Sequence, residues 1–114
     1  MPPTFGLTLN MADYYHYTLE VKLPLIQRDG VFPNHPYYTI TEYFNAYQAG
    51  QALGVMEHNI DCVLKFSDDG FYRKQPDVPS TGRFTGGGNQ YQHPFRPKPI
   101  AIRKINERIW RTLP

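Results

Sequence analysis

The chain has 114 residues, of which 40% are hydrophobic and 15% aromatic, enough for one small folded unit with an appendage. Cys62 is the single cysteine, which excludes an intrachain disulfide and a cysteine-based zinc site and indicates a reducing, intracellular location. No apolar run reaches the roughly 18–20 residues of a membrane span. We expect no secretory signal peptide, because the first residues lack a basic start and a long apolar stretch.

The net charge of +2 hides a division of the chain into an acidic and a basic part. Residues 1–70 carry three basic and eight acidic side chains, a net charge of −5, whereas residues 71–114 carry nine and two, a net charge of +7. This partition indicates that the basic part binds acidic surface, either on its own chain or on a second molecule.

Two alternating patterns open the chain. Phe5, Leu7 and Leu9 alternate with smaller residues and predict a short strand. A longer alternation from Tyr14 to Ile26 predicts a half-buried antiparallel strand with Tyr15 and Tyr17 on its apolar face. Pro24 would place the far end of that strand at a sheet edge, since proline cannot donate to the ladder.

A helix is predicted after the proline-containing loop at residues 31–38. Thr39 can cap its first turn, and Glu42, three residues later, completes a capping box. Tyr43, Ala46, Tyr47, Gly50 and Leu53 form a stripe at helical spacing, and Gly54 suits the C-terminal cap. The helix should therefore end near Gly54.

A second pair of strands is predicted beyond the helix. Ile60 to Phe66 alternates like a strand, residues 67–70 read as a hairpin turn, and Phe71 to Arg73 would return beside it. The body, residues 1–74, is therefore predicted to be a small α+β fold: an antiparallel sheet in a ββαββ-like order with one packed helix.

The remainder of the chain is predicted to be an arm and a helix. Residues 75–99 hold five prolines and four glycines and show no apolar period, which predicts an extended Pro/Gly-rich basic arm. In residues 100–114, Ile102, Ile105 and Ile109 recur at helical spacing among basic residues, which predicts a short C-terminal basic amphipathic helix.

The arm is expected to lie on another molecule. Ordering about 25 residues of backbone costs on the order of 25–50 kcal/mol, and offsetting this requires on the order of 1000–2000 Å² of apolar burial, or many satisfied hydrogen bonds. A body of this size can hardly supply that area and keep its own core. The alternative is that the arm folds back on its own body.

No catalytic constellation stands out. The sequence lacks a phosphate-binding loop, a nucleophile elbow and a zinc-protease motif, so we assign no catalytic residue, metal ligand or cofactor. Cys62 is expected to be a buried structural thiol. The four histidines, His16, His35, His58 and His93, are expected to be surface or hydrogen-bonding residues; an enzyme site would need them to converge with acids in one cleft.

The sequence therefore favours a non-enzymatic structural or accessory subunit of a larger protein assembly, or a homo-oligomer, held by its basic arm. Single-stranded nucleic acid is the second candidate partner, because aromatic rings can stack on bases while Arg and Lys neutralise phosphates. A small enzyme or enzyme subunit is the third hypothesis. The expected partner-binding residues are Arg83, Phe84, Tyr91, Phe95, Arg96, Lys98, Arg103, Arg108 and Trp110.

Overall fold

A computed structural model describes residues 12–31 and 37–114. These residues form an α+β fold with six strands and two α-helices. The strands are β1 (Asp13–Thr18), β2 (Cys62–Ser67), β3 (Arg73–Gln75), β4 (Gln90–Gln92), β5 (Ala101–Lys104) and β6 (Arg111–Thr112). The helices are α1 (Leu23–Asp29) and α2 (Ala46–Leu53), and short 3-10 turns lie at Glu20–Lys22 and Glu57–Asn59.

The main sheet has four antiparallel strands in the order β1-β2-β5-β6, and β3 pairs with β4 in a second, two-stranded sheet. The short segment Tyr38–Thr39 connects the two sheets. Thr39 bridges to Tyr15 of β1, and Tyr38 bridges to Tyr91 of β4. This segment therefore fixes the position of β4 relative to the main sheet.

Both faces of the main sheet are buried. Leu64 and Phe66 pack on one face with Tyr14 and Tyr38, whereas Val63 packs on the other face, where α2 lies. The two faces alternate along β2 because successive side chains of a strand point in opposite directions. The prediction of an antiparallel sheet with a helix on it is confirmed, but β1 has no solvated polar face.

The first long strand is shorter than its alternation predicted. β1 ends at Thr18, and the chain then turns into α1, with Pro24 in the first turn of the helix. Proline suits that position because its missing N–H would have no intrahelical partner there. Gly30 ends the helix at a φ of 76°. The strand predicted at Phe5 lies outside the described residues.

The central helix ends where predicted but begins later. Gly54 caps it at a φ of 74°, and the N-terminal cap is Asn45, whose side chain accepts a hydrogen bond from the N–H of Gln48. The predicted cap, Thr39, instead lies in the bridge to β1, and Glu42 binds Arg103. Tertiary contacts therefore take both residues of the predicted capping box.

The predicted C-terminal helix is wrong, because residues 101–104 and 111–112 are strands β5 and β6. β5 lies between β2 and β6, and Ile102 is fully buried opposite Leu64. A short run of apolar residues at mixed spacing does not by itself separate helix from strand. The predicted hairpin partner of β2 is also wrong, since β3 pairs with β4.

Residues 75–99 pack on the described part of their own chain. This is the alternative to the expected contact with another molecule. The N–H groups of Gly86 and Gly88 donate to the carbonyls of Gln51 and Ala52 at the end of α2, at 2.8 and 3.0 Å. The Lys98 ammonium donates to two carbonyls at the C-terminus of α1. Hydrogen bonds to the body, together with the burial of Val78 and His93, therefore order this segment.

Candidate functional site

An exposed pair of phenylalanines is the most distinctive surface feature of the described residues. Phe71 and Phe95 lie edge to face with ring centroids 5.1 Å apart, and they keep 44% and 58% of their surface exposed. Phe71 precedes β3, and Phe95 lies in the segment after β4. We call this pair the Phe71–Phe95 surface.

A single carboxylate holds both phenylalanines in place. One oxygen of Asp69 accepts the N–H of Phe71 at 3.0 Å, and the other accepts a hydrogen bond from Nε2 of His93 at 2.8 Å. Nδ1 of His93 in turn accepts the N–H of Phe95 at 3.0 Å. Because Nδ1 is an acceptor, the ring carries its proton on Nε2. The relay from Phe71 through Asp69 and His93 to Phe95 fixes the two backbones relative to each other.

His93 is a structural residue rather than a surface one. Its side chain is 2% exposed, and its ring lies 4.6 Å from the ring of Tyr72. Partial burial raises the pKa of Asp69, but the hydrogen bonds from His93 and Phe71 outweigh it and leave that pKa below its usual value. Asp69 therefore stays ionised at neutral pH and keeps accepting both hydrogen bonds.

The predicted partner-binding residues differ widely in how far they are buried. Five are exposed: Arg83, Phe95, Arg96, Lys98 and Arg108. Three are partly buried: Phe84, Tyr91 and Trp110. Arg103 is fully buried and makes its contacts inside the chain, so it is not at the surface as a partner contact requires.

A concave region lies beside α2. It has a volume of about 330 Å³ and is lined by Tyr47, Met56, His58, Arg83 and Phe84, among others. The Arg83 guanidinium contacts the Met56 sulfur at 3.5 Å. This groove brings two predicted partner-binding residues, Arg83 and Phe84, against exposed apolar side chains of the body.

The histidines do not converge within the described part of the chain. His16 and His58 line two different cavities, His93 is buried elsewhere, and His35 lies outside the described residues. No group of three His, Cys, Asp or Glu side chains among the described residues is arranged to hold a metal ion. None of the helices in the described ranges is both long enough and apolar enough to cross a membrane.

No protein-family model matches this chain, and no curated protein or solved structure is significantly similar to it. The functional interpretation therefore depends on the geometry of the site alone.

Sequence patterns alone do not reveal Phe71 as part of the Phe71–Phe95 surface, nor Asp69 and His93 as the residues that hold it. By pattern, Asp69 is a turn former, His93 a surface or hydrogen-bonding residue, and Phe71 the start of a returning strand. The spacing of Asp69 and Phe71 resembles any turn in which a carboxylate accepts the N–H two residues on. The link to His93, 24 residues later, leaves no local signal in the sequence.

Proposed function

We propose that this protein is a non-enzymatic accessory subunit of a larger protein assembly. It docks through the exposed surface of its basic part, residues 71–114. The observation that supports this most is the Phe71–Phe95 surface. Isolated exposed apolar residues are common, but an adjacent aromatic pair fixed by a hydrogen-bond relay through the buried His93 resembles a preformed interface anchor. Because both backbones are already held, little ordering entropy would be lost on binding.

The surroundings of the aromatic pair favour a partner with an apolar pocket and a charged rim, because the ionised Asp69 lies beside Phe71 and arginines lie beside both rings. Arg96 is exposed next to Phe95, and the Arg73 guanidinium contacts the Gly70 carbonyl beside Phe71. Aromatic and Arg side chains are the residue types most enriched at the energetic centres of protein interfaces. The single cysteine, buried as a free thiol, fits action inside the cell, which we include in the proposal.

The test compares two pairs of exposed apolar residues in the full-length chain. We expect the tagged wild-type chain to form a species heavier than its 13.3 kDa monomer, and Phe71→Ser/Phe95→Ser to lose the partner subunit. The matched control is Val21→Ser/Leu25→Ser, which alters side chains that are 80% and 52% exposed. Native mass spectrometry measures the masses, and circular dichroism checks that both variants fold. A wild-type chain that stays monomeric in its native extract, or equal losses in both variants, would refute the proposal.

Single-stranded nucleic acid is the second candidate partner, because Phe71 and Phe95 could stack on bases while neighbouring cations contact phosphates. This alternative expects a bound oligonucleotide whose affinity falls steeply with salt. With about five phosphates contacted, the slope of log affinity against log salt would be roughly −3.5. An affinity that does not change with salt would exclude it.

A further inference from the structure

A separate cavity lies between β1 and the end of α2. It has a volume of about 250 Å³ and is lined by β1, by the segment around Tyr37, by the C-terminus of α2 and by Gln90 of β4. Tyr17 and Tyr37 supply aromatic surface, and Leu53 and Val55 supply aliphatic surface. The volume corresponds to about eight waters at about 30 Å³ each, which suits a small ligand.

Two side chains of the lining, those of His16 and Gln90, each have a hydrogen-bond acceptor to which no described residue is seen to donate. Nδ1 of His16 lies 2.9 Å from the carbonyl oxygen of Tyr37, and since a carbonyl can only accept, Nδ1 carries the proton. Burial lowers the pKa of His16, so at neutral pH Nε2 is an unprotonated acceptor. The side-chain N–H₂ of Gln90 donates to the carbonyl of Pro76, which leaves the Gln90 amide oxygen as the second acceptor.

The chemistry of the lining restricts the ligand. None of the described lining residues is Asp, Glu, Lys or Arg, and the charge that acts on His16 is that of Lys22, outside the lining, so the lining itself offers a charged ligand no counter-charge. A purely apolar ligand would displace water from the two acceptors and leave them unpaired. Aromatic walls favour a flat ring, and unused acceptors favour a ligand that donates N–H groups.

We propose that this cavity binds an uncharged planar heterocycle that carries N–H donors, of the nucleobase class, with His16 and Gln90 accepting from it. A free nucleoside and a single-stranded nucleic acid would both present the same group, the base, to this cavity. The proposal does not depend on the proposed docking function, because the cavity and the Phe71–Phe95 surface have no lining residue in common.

The first experiment compares two ligands that differ by one donor group. Adenosine carries an exocyclic amino group, and purine riboside is the same nucleoside without it. We expect adenosine to shift the imidazole NMR resonances of His16 on titration, and purine riboside to bind at least about tenfold more weakly, since its base has no N–H donor and leaves both acceptors unpaired. Equal affinity for the two nucleosides, or no shift with any of the common nucleosides, would overturn the proposal.

The second experiment uses matched variants of the full-length chain. His16→Phe keeps an aromatic ring but removes the acceptor, and its control is His58→Phe, which lies in the other groove. Gln90→Leu removes the second acceptor, and its control is Gln92→Leu on the same strand. We expect each site variant to bind adenosine at least about fivefold more weakly and each control to bind it like the wild type. Wild-type affinity in both site variants would rule out the assignment.

Two further measurements identify the source of the base. A short oligodeoxyadenylate that binds much more tightly than adenosine, with salt-dependent affinity, supports a base within a single strand; equal affinities support a free nucleoside. Phe71→Ser/Phe95→Ser should bind adenosine like the wild type, so failure of the docking proposal and failure of this one are distinguishable. Preferential binding of N-acetyltryptophanamide over every nucleoside would overturn the proposal in favour of a protein side chain.

Discussion

Replacing Arg103 by Met should strongly destabilise the fold. Its guanidinium is 0% exposed and donates to the Glu42 carboxylate at 3.1 Å, to the Tyr43 carbonyl at 2.7 Å and to three carbonyls at the end of β5 and in the turn that follows it. The group also lies 4.2 Å from the ring centre of Phe44 and 5.1 Å from that of Trp110. One cation thus joins the loop before α2 to the β5–β6 turn.

The expected loss follows from what the substitution leaves behind. Removing one partner of a buried ion pair costs about 3–5 kcal/mol, mostly because the other groups stay unpaired. Glu42 is 31% exposed and can regain water, so most of the cost comes from the carbonyls and the two aromatic rings. We therefore expect Arg103→Met to lower the free energy of unfolding by about 3–4 kcal/mol, a large share of the roughly 5–15 kcal/mol of a small domain.

Urea denaturation followed by tryptophan fluorescence measures this loss, because Trp110 contacts the substituted group. The matched control is Arg108→Met, since the Arg108 guanidinium also lies 4.2 Å from the ring centre of Phe44 but the residue is exposed. An exposed contact of this kind is worth about 0.5–1 kcal/mol. Equal losses in the two variants would refute the reasoning, and a stable Arg103→Met variant that fails to bind a partner would restore Arg103 as a binding residue.

Three further predictions concern reactivity, pH and backbone geometry. Burial raises the pKa of Cys62 to about 12, so iodoacetamide should alkylate this thiol only on unfolding, and fast labelling of the native protein would contradict its burial. Burial also lowers the pKa of His16, so as the pH falls the unfolded chain binds a proton on this imidazole before the folded chain does, and the free energy of unfolding should fall below about pH 6.5. His16→Phe should reduce that decline when denaturation is measured at several pH values. An equal decline with pH in the variant and the wild type would exclude the effect. Gly86→Ala should lower Tm, because φ is +70° and an added Cβ would meet the Pro79 carbonyl at 2.5 Å, whereas Gly82→Ala, with open space around it, should not.

The sequence predicted the parts of the fold that local patterns determine. β2 and the C-terminal cap at Gly54 are confirmed, because alternation and a left-handed glycine are local signals. The pairing of strands was not predictable in the same way. β2 pairs with β5, which lies more than 30 residues later, and no turn signal connects them.

The error at the C-terminus has a specific physical cause. The isoleucine spacing fits a helical stripe, but Ile102 and Arg103 are both fully buried, on opposite faces of the sheet. A buried arginine breaks the polar–apolar pattern on which sequence prediction depends, because a charge is expected at the surface unless a carboxylate and carbonyls surround it. Those groups come from the loop before α2 and from the following turn, and their arrangement is visible only in three dimensions.

Residues 75–99 are ordered on their own chain for a reason that apolar area does not capture. The sequence prediction allowed apolar burial or many hydrogen bonds, and expected another molecule to supply them. Hydrogen bonds within the chain fix the segment instead: its backbone N–H groups donate to the end of α2, and the Lys98 ammonium donates to the C-terminus of α1. Gly88 makes the approach to α2 possible, since a Cβ there would lie 2.8 Å from the Ala52 carbonyl oxygen, and a Cβ on Gly86 would collide with the Pro79 carbonyl of the segment itself. Glycine here indicates close packing of backbone on backbone rather than a flexible linker.

The contacts of the basic side chains favour a protein partner over single-stranded nucleic acid. Arg103 and Arg111 form ion pairs with Glu42 and Glu20 of the acidic part. Part of the positive charge of residues 71–114 is therefore neutralised within the chain. Lys74 pairs with Asp77, and the Lys98 ammonium is held by the carbonyls of α1. Cations that are already bound would have to exchange partners before they could neutralise phosphates, which reduces the counterion release that drives nucleic-acid binding. A protein partner can use arginines that keep their contacts within the chain, and Arg96 lies exposed beside Phe95 at the aromatic anchor.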